Sequence, residues 1–496
     1  MSLYLLAGFI SFGIIWLGLR SRKSKGIKRI RRPPSPSFLF GHEAALARQE
    51  EVGAMEFQWI KEYGTTWRTR GVFGAIQHVF HKSGYNYTKK TSQNFMQWIM
   101  AGPGVATVLG EDHHRHRKIM QPAFSATQLR GFLPLFQRIV GKLSEKLKGE
   151  LVATGELDIM INKWLARATL DVIGEAAFDY DYNTLDDGGS TLSKGYENIA
   201  KDVYFQPSNA IILFRAAWDY IPMPILKLFR YLPGEPFTRL RNLNYLFRQY
   251  GKQILRELSQ EIHSERNLNS KDVMTILIKA NSSADASTRL DDEELIAEMF
   301  TLTAAGNETT SKTIAFALYE LARTPHRARA NSETLRLHPI AIGIPRVAVK
   351  DDVIPLSRLI VSTTGEAVSE IPVKAGQVFY ASFSAYQRLP EIWGEDADEW
   401  NPDRFSRLET TKQPTNVGVF ANLLTFSTGV RGCIGWRFAL IEMQAFLGDL
   451  VETFQFHLPT EKVEIQCAPA GIEMVPIVRG KPELGSALPL RISLVQ

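Results

Sequence analysis

The chain has 496 residues, 45% hydrophobic and 22% charged, a globular composition that excludes a disordered, collagen-like or wholly membrane-embedded protein. A net charge of +6 suggests a nucleic-acid or membrane-surface binder, but residues 20–32 hold eight of the 58 basic groups and residues 1–32 hold no acid. The remainder carries 50 basic against 52 acidic residues, which argues against nucleic-acid binding.

Residues 3–19, LYLLAGFISFGIIWLGL, carry no charge and as a helix would span about 25 Å, just short of a thin bilayer core of roughly 27 Å. Ten of them are Leu, Ile or Phe, together favouring insertion by about 3–6 kcal/mol. The basic block follows the apolar run and no small-residue cleavage site is present, so residues 1–32 are expected to be a retained single-pass anchor with a cytosolic flank. A signal peptide and a buried core helix are the alternative readings. Pro33-Pro34-Ser35-Pro36 forms a stiff hinge, and residues 33–496 read as one cytosolic domain. The sequons at Asn86, Asn281 and Asn307 would then be chance triplets.

Apolar spacing at i, i+3 and i+4 predicts helices over residues 126–150, 157–180 and 238–263. Residues 210–232, AIILFRAAWDYIPMPILKLFRYL, read either as core or as a segment that dips into a bilayer beside the anchor. Residues 264–290 are polar and read as a surface connection. A long helix follows from near Asp291 to Thr324, stopped by Pro325; its centre is apolar or small on all sides, so it should cross the core. Short β-like runs occupy 344–383, a loop-rich stretch 384–432, a last long helix 434–453, and strands and turns the tail from 454. The fold class expected is mainly α with a small β lobe.

Two cysteines, Cys433 and Cys467, exclude a disulfide framework and a Cys-rich zinc site and point to a reducing compartment. Cys433 lies in Phe426-Ser-Thr-Gly429-Val-Arg431-Gly432-Cys433-Ile-Gly435, just before the last helix. Alone it would be an inert buried thiol. The flanking glycines, however, let the backbone wrap around the sulfur and aim amides at it. The helix N-terminus should lower the thiol's pKa, and Arg431 supplies a cation suited to a carboxylate. Such a sulfur suits permanent metal coordination better than turnover as a nucleophile, and no His–acid pair is tied to it in sequence. On the long helix, Ala305-Gly306-Asn307-Glu308-Thr309-Thr310 places an acid beside two hydroxyls, and Ala305 and Thr309 are one turn apart. Packing alone would explain Gly306, with the threonines bonding back to their own helix.

These residues resemble the cytochrome P-450 superfamily of haem-thiolate monooxygenases, matched at Phe426, Gly429, Arg431, Cys433 and Gly435. The resemblance implies the fold of that family, with the long central helix over a haem. It makes Cys433 the axial ligand of the iron of haem b, its thiolate favouring O–O cleavage. Thr309 would bind the O₂ pocket's hydrogen-bond network and Glu308 would help relay protons into a dry pocket, with Ala305 facing the iron. Glu333, Arg336 and Arg404 match the family's buried structural ion network. For the haem propionates the resemblance points to His113, Arg117, Arg346 and Arg431; His113 stands where the family has Trp. A zinc reading of His113, His114 and His116 is weak, because the three do not share a helix face. NADPH would act only through a separate NADPH–cytochrome P-450 reductase, with cytochrome b5 as a further partner, and the substrate would be an apolar small molecule. EVGAMEFQWIKEYG, PAFS and RLPEIWGEDADEWNPDRF look most like membrane-bound fungal members, which places the chain in the endoplasmic-reticulum membrane.

Two stretches depart from the family. Glu308 and Glu333 are only 25 residues apart, leaving PHRARAN (325–331) where the family has further helix. Gly74 runs directly into AIQHVFHKSGY, where a strand and turn are usual. Missing helix should uncover apolar surface near residues 315–322, which sets up the alternative: a family chain made inactive by its gaps.

Overall fold

The computed structural model describes residues 30–37, 42–63, 68–69, 71–72, 78–152, 155–186, 207–263, 272–285, 287–324, 330–408 and 417–495. The expected anchor and the junction after Gly74 lie outside these residues. No helix among the described residues is long and apolar enough to cross a membrane.

In chain order the principal helices are α1 (Ala54–Tyr63), α2 (Thr91–Ala101), α3 (Gly110–Met120), α4 (Leu133–Leu151), α5 (Ile161–Phe178), α6 (Asn209–Trp218), α7 (Glu235–His263), α8 (Val273–Ser282), α9 (Asp292–Arg323), α10 (Ala330–Leu337) and α11 (Trp436–Thr453). The strands are β1 (Arg68–Thr69), β2 (Gly71–Val72), β3 (Tyr87–Thr88), β4 (Glu156–Met160), β5 (Gly343–Ala348), β6 (Asp352–Val361), β7 (Ala367–Val373), β8 (Val378–Ser382), β9 (Phe454–His457), β10 (Ile465–Ala470), β11 (Glu473–Val478) and β12 (Pro489–Leu494).

The β lobe is a five-stranded sheet in the order β1-β2-β8-β5-β3, antiparallel except for the β2–β8 pair, where Val72 meets Phe379. Three small sheets complete it: β6–β7, β10–β11, and β4-β12-β9. The helical body is organised by α9, whose thirty-two residues start from a capping box in which Asp291 accepts from the Glu294 amide and Glu294 from the Asp291 amide. Its middle is buried on every side, from Thr310 through Leu318. That all-round burial is the consequence of its small and apolar composition.

Three expectations need correction. Residues 157–160 are not helical but belong to β4, because pairing with β12 at the far end of the chain captures ELDIM before α5 begins. Within 264–290 the ten residues of α8 form a helix that buries Val273, Met274, Leu277 and Ile278, so this stretch is not wholly a surface connection. The predicted 126–150 helix is likewise two, Ala126–Arg130 and α4, separated at Gly131.

The shortened link after α9 does not uncover apolar surface at its centre either: Ala315, Phe316, Ala317 and Leu318 are fully buried. The cover comes from α10 and the residues after it. His338 stacks on Phe316 with ring centroids 4.6 Å apart, and its Nε2 bonds Glu320 Oε1 at 2.7 Å. Tyr319, Leu321 and Ala322 are half-buried against the core.

Candidate active site

The loop before α11 is shaped by backbone that few residues other than glycine adopt. Gly429 has φ +69°, and a Cβ there would lie 1.8 Å from the Phe80 carbonyl oxygen. The Cys433 amide donates to Phe426 O at 2.8 Å and the Gly432 amide to Gly429 O at 2.9 Å, which closes the loop around the sulfur. Gly435 is the N-cap of α11. Cys433 itself is accessible from the cleft, yet enclosed enough that loss of water raises its thiol above the ordinary value, against the opposing pull of the Gly435 amide and the Arg117 charge. The sequence had suggested a lowered pKa. Burial outweighs the helix terminus here, and only a bound metal would strip the proton outright.

Beside this loop stand four cations from four segments. Arg117 of α3 donates to the Gly432 carbonyl at 2.6 Å, and Arg431 to Val108 O at 2.9 Å. Arg346 of β5 lies 5.0 Å over the Phe80 ring and donates to Pro345 O at 3.0 Å. Lys89, after β3, bonds Gln97 Oε1 at 2.8 Å and the Ala106 carbonyl. None of the four has a carboxylate partner among the described residues. Burial, then mutual repulsion, pushes Arg346 down to about 9, Arg431 to about 10 and Lys89 well below its usual range. Arg346 is buried and the other three are half-buried, and charge held from water without a partner is costly. A ligand with two carboxylates would relieve it, and the haem propionates fit that requirement.

His113 is buried beside them and its Nδ1 meets Tyr85 OH at 2.7 Å. Burial, with Arg431 and Arg117 nearby, lowers it to about 3. It is therefore placed to offer a hydrogen bond beside the cations. His116 turns away, to Glu298 at 2.6 Å and Glu294 at 3.3 Å. The three histidines do not converge.

α9 runs unbroken through Ala305–Thr310. Gly306 is required by packing: a Cβ there would meet Ile173 Cδ1 of α5 at 2.7 Å. Asn307 is buried and accepts from Thr169 Oγ1 at 2.7 Å. Ala305 is exposed and Thr309 half-buried one turn later, with Thr309 Oγ1 donating to Ala305 O at 2.7 Å. Glu308 pairs with Lys312 at 2.5 Å.

The ion network sits under the loop. Arg336 makes a bidentate pair with Glu333, at 2.8 Å in both contacts, and donates to the Gln387 and Ala397 carbonyls at 2.6 Å. Arg404 reaches the same carboxylate at 3.1 Å and Asp396 at 2.5 Å. Gln387 then accepts from the Leu424 amide at 2.8 Å, two residues before Phe426. Cys467 lies elsewhere, with Sγ 3.5 Å from His338 Nδ1; burial pushes its thiol up to about 12, so it stays protonated. Tyr85 and Lys89 were not found from sequence, because no motif surrounds them and only the fold brings them to Arg431.

The cytochrome P450 family model matches residues 32–330 and 329–478. Curated relatives align over nearly the whole chain. Cytochrome P450 monooxygenase 128 of Postia placenta is 30% identical over 92% of this chain and 91% of its own length. Cytochrome P450 monooxygenase 205 of the same fungus is 29% identical over 94% and 92%. A ganoderic acid synthetase of Ganoderma lucidum is 28% identical over 87% and 88%. The glycine-built cysteine loop, with cations at its edge that lack carboxylate partners among the described residues, thus belongs to a haem-thiolate monooxygenase. The chain is a member of the cytochrome P450 family, akin to fungal members, and works with a redox partner on a small-molecule substrate. The two family matches meet at residues 329–330, inside the shortened link.

Proposed function

We propose that this chain is a monooxygenase of the endoplasmic-reticulum membrane that oxidises a lipophilic small molecule with electrons from NADPH–cytochrome P450 reductase, cytochrome b5 serving as a second donor. The observation that carries this reading is the meeting of the Cys433 loop with four cations that lack carboxylate partners among the described residues. Haem b, bound there, would supply O₂ activation and insertion of one oxygen atom into the substrate. Cys433 Sγ would be the residue that holds its iron, and Phe426 and Gly435 shape the loop that presents the sulfur. Arg117, Arg346, Arg431 and Lys89 would hold its carboxylates, with a hydrogen bond from the His113–Tyr85 pair. Ala305 leaves room against α9 for substrate. Thr309 Oγ1, now donating to its own helix, can turn its proton outward into the cleft, and Glu308 replaces that proton from water.

A ferrous–CO difference spectrum tests this reading. A thiolate-type band supports it; purified protein without haem would remove it. The alternative is a family chain made inactive by its two gaps, after Gly74 and near 325–331, and the same spectrum decides it; of the surface that the second gap was expected to uncover, Ala315–Leu318 are buried.

Thr309→Ala should still bind haem and substrate but divert NADPH-derived electrons to hydrogen peroxide, because protons then reach the oxygen from unordered water. Peroxide and product per NADPH are the measurement, and unchanged coupling would make Thr309 a packing residue.

Membrane contact should extend beyond the anchor. Ile211, Leu213, Phe214, Tyr220, Ile225, Leu228 and Tyr231 are exposed while Ile212, Trp218 and Leu226 of the same stretch face the core. Lys227 and Arg230 cover Trp98 at 4.8 and 4.7 Å, beside this surface. A chain lacking residues 1–32 should therefore still sediment with liposomes; full solubility with no liposome binding would refute the contact.

A further inference from the structure

One buried cation has no part in the activity described so far. Lys312 follows Glu308 by one turn of α9, its side chain 11% exposed. Its Nζ lies 2.5 Å from Glu308 Oε2 and 2.7 Å from Glu473 Oε2. Burial pulls its pKa down, but the Glu473 and Glu308 carboxylates outweigh that and leave it above the ordinary lysine value, so it stays charged.

Glu473 comes from the other end of the chain. It opens β11 immediately after the turn at Gly471 (φ +68°). The turn is fixed in place: the Ile342 amide donates to Ile472 O at 2.9 Å and the Met474 amide to Ile340 O at 2.8 Å. The same 340–342 segment leads into β5 and Arg346. On an exposed helix, a Glu–Lys pair at this spacing contributes little. Here Lys312 is largely buried and shared with a third group, and its charge offsets the repulsion between the two carboxylates. Glu308 and Thr309 are neighbours about 100° apart around α9, so the side on which Glu308 is held decides how it can reach the Thr309 hydroxyl.

We propose that Lys312 is a positioning residue for proton delivery: it clamps the Glu308 carboxylate to Glu473 and the β10–β11 turn, so that Glu308 serves Thr309 from one fixed place. The proposal rests on the reading of Glu308 and Thr309 as the proton-delivering pair. Lys312 acts only through Glu308. Lys312→Met leaves two carboxylates side by side and turns Glu308 away, whereas Lys312→Arg keeps the charge between them.

The test uses the full-length, haem-loaded chain with NADPH–cytochrome P450 reductase, superoxide dismutase and no added substrate, so that electrons are collected as hydrogen peroxide, superoxide included after dismutation, or as water. With Lys312→Met, the haem content and thiolate-type CO spectrum should be unchanged. The ratio of peroxide to water should rise by roughly an order of magnitude, within what misplacing a proton-transfer group costs, and Lys312→Arg should restore most of the difference. An independent readout needs no turnover: thermal unfolding of the single and double variants Lys312→Met and Glu473→Gln should show non-additive midpoints if the two side chains are coupled. Additive midpoints, or a normal peroxide ratio in Lys312→Met alongside a raised one in Glu308→Gln, would overturn the positioning role and leave the function of Glu308 standing. A normal ratio in Glu308→Gln itself would remove the proton-delivery reading and this inference with it.

Discussion

Cys433→Ser is expected to abolish the thiolate-type CO spectrum and monooxygenation while membrane attachment persists. The glycines and the Cys433–Phe426 hydrogen bond do not depend on the sulfur, so the loop itself should survive. Serine keeps the volume but not the soft, electron-donating ligand that the iron needs. The measurement is the ferrous–CO spectrum of the purified variant beside that of Cys467→Ser, which should match the parent. A full thiolate spectrum in Cys433→Ser would transfer the ligand role to Cys467.

Glu333→Ala should be the most damaging single change outside the cleft. Glu333 is fully buried and answers two guanidinium groups, Arg336 and Arg404, which are themselves 0% and 2% exposed. Removing one partner of a buried pair costs about 3–5 kcal/mol because the other charge stays buried alone. Total stability is typically only about 5–15 kcal/mol. Arg404 keeps Asp396, but Arg336 keeps only carbonyls. The segment from Gln387 to Leu424 hangs on the same network and leads into the cysteine loop. We therefore expect low haem-to-protein absorbance ratios and a broad, early thermal transition. A sharp transition at the parent midpoint with full haem would show that the network is dispensable.

What could be read from the sequence was local. The cysteine loop announces itself because glycine spacing, a lone thiol and a following helix fall within ten residues. α9 is legible from its acidic start and its all-round apolar centre. β4 was lost because five residues of mixed pattern adjoin a strong helical signal, and only the distant β12 decides their state. α8 was hidden by averaging: VMTILIKANS is apolar, but its surroundings are not. In the site, Arg117 and Arg431 carry sequence signatures, whereas Lys89 becomes significant only through its neighbours in space. The charge state of His113 is set in the same way, by burial and by arginines that the fold brings near. The partner of Lys312 at i−4 is legible, but its partner 161 residues away is not.

Between Thr324, the C-cap of α9, and the start of α10 at Ala330 run five residues. For a flexible connection, closure entropy rises only with the logarithm of length, about 0.6 kcal/mol for each doubling. Growing this link fourfold would thus cost about 1.2 kcal/mol, less than one buried methionine or leucine contributes. The Phe316–His338–Glu320 contacts lie on α9 and just after α10, outside the link. The packing of α9 against α10 is thus fixed by contacts outside the link, and a longer connection would leave them standing.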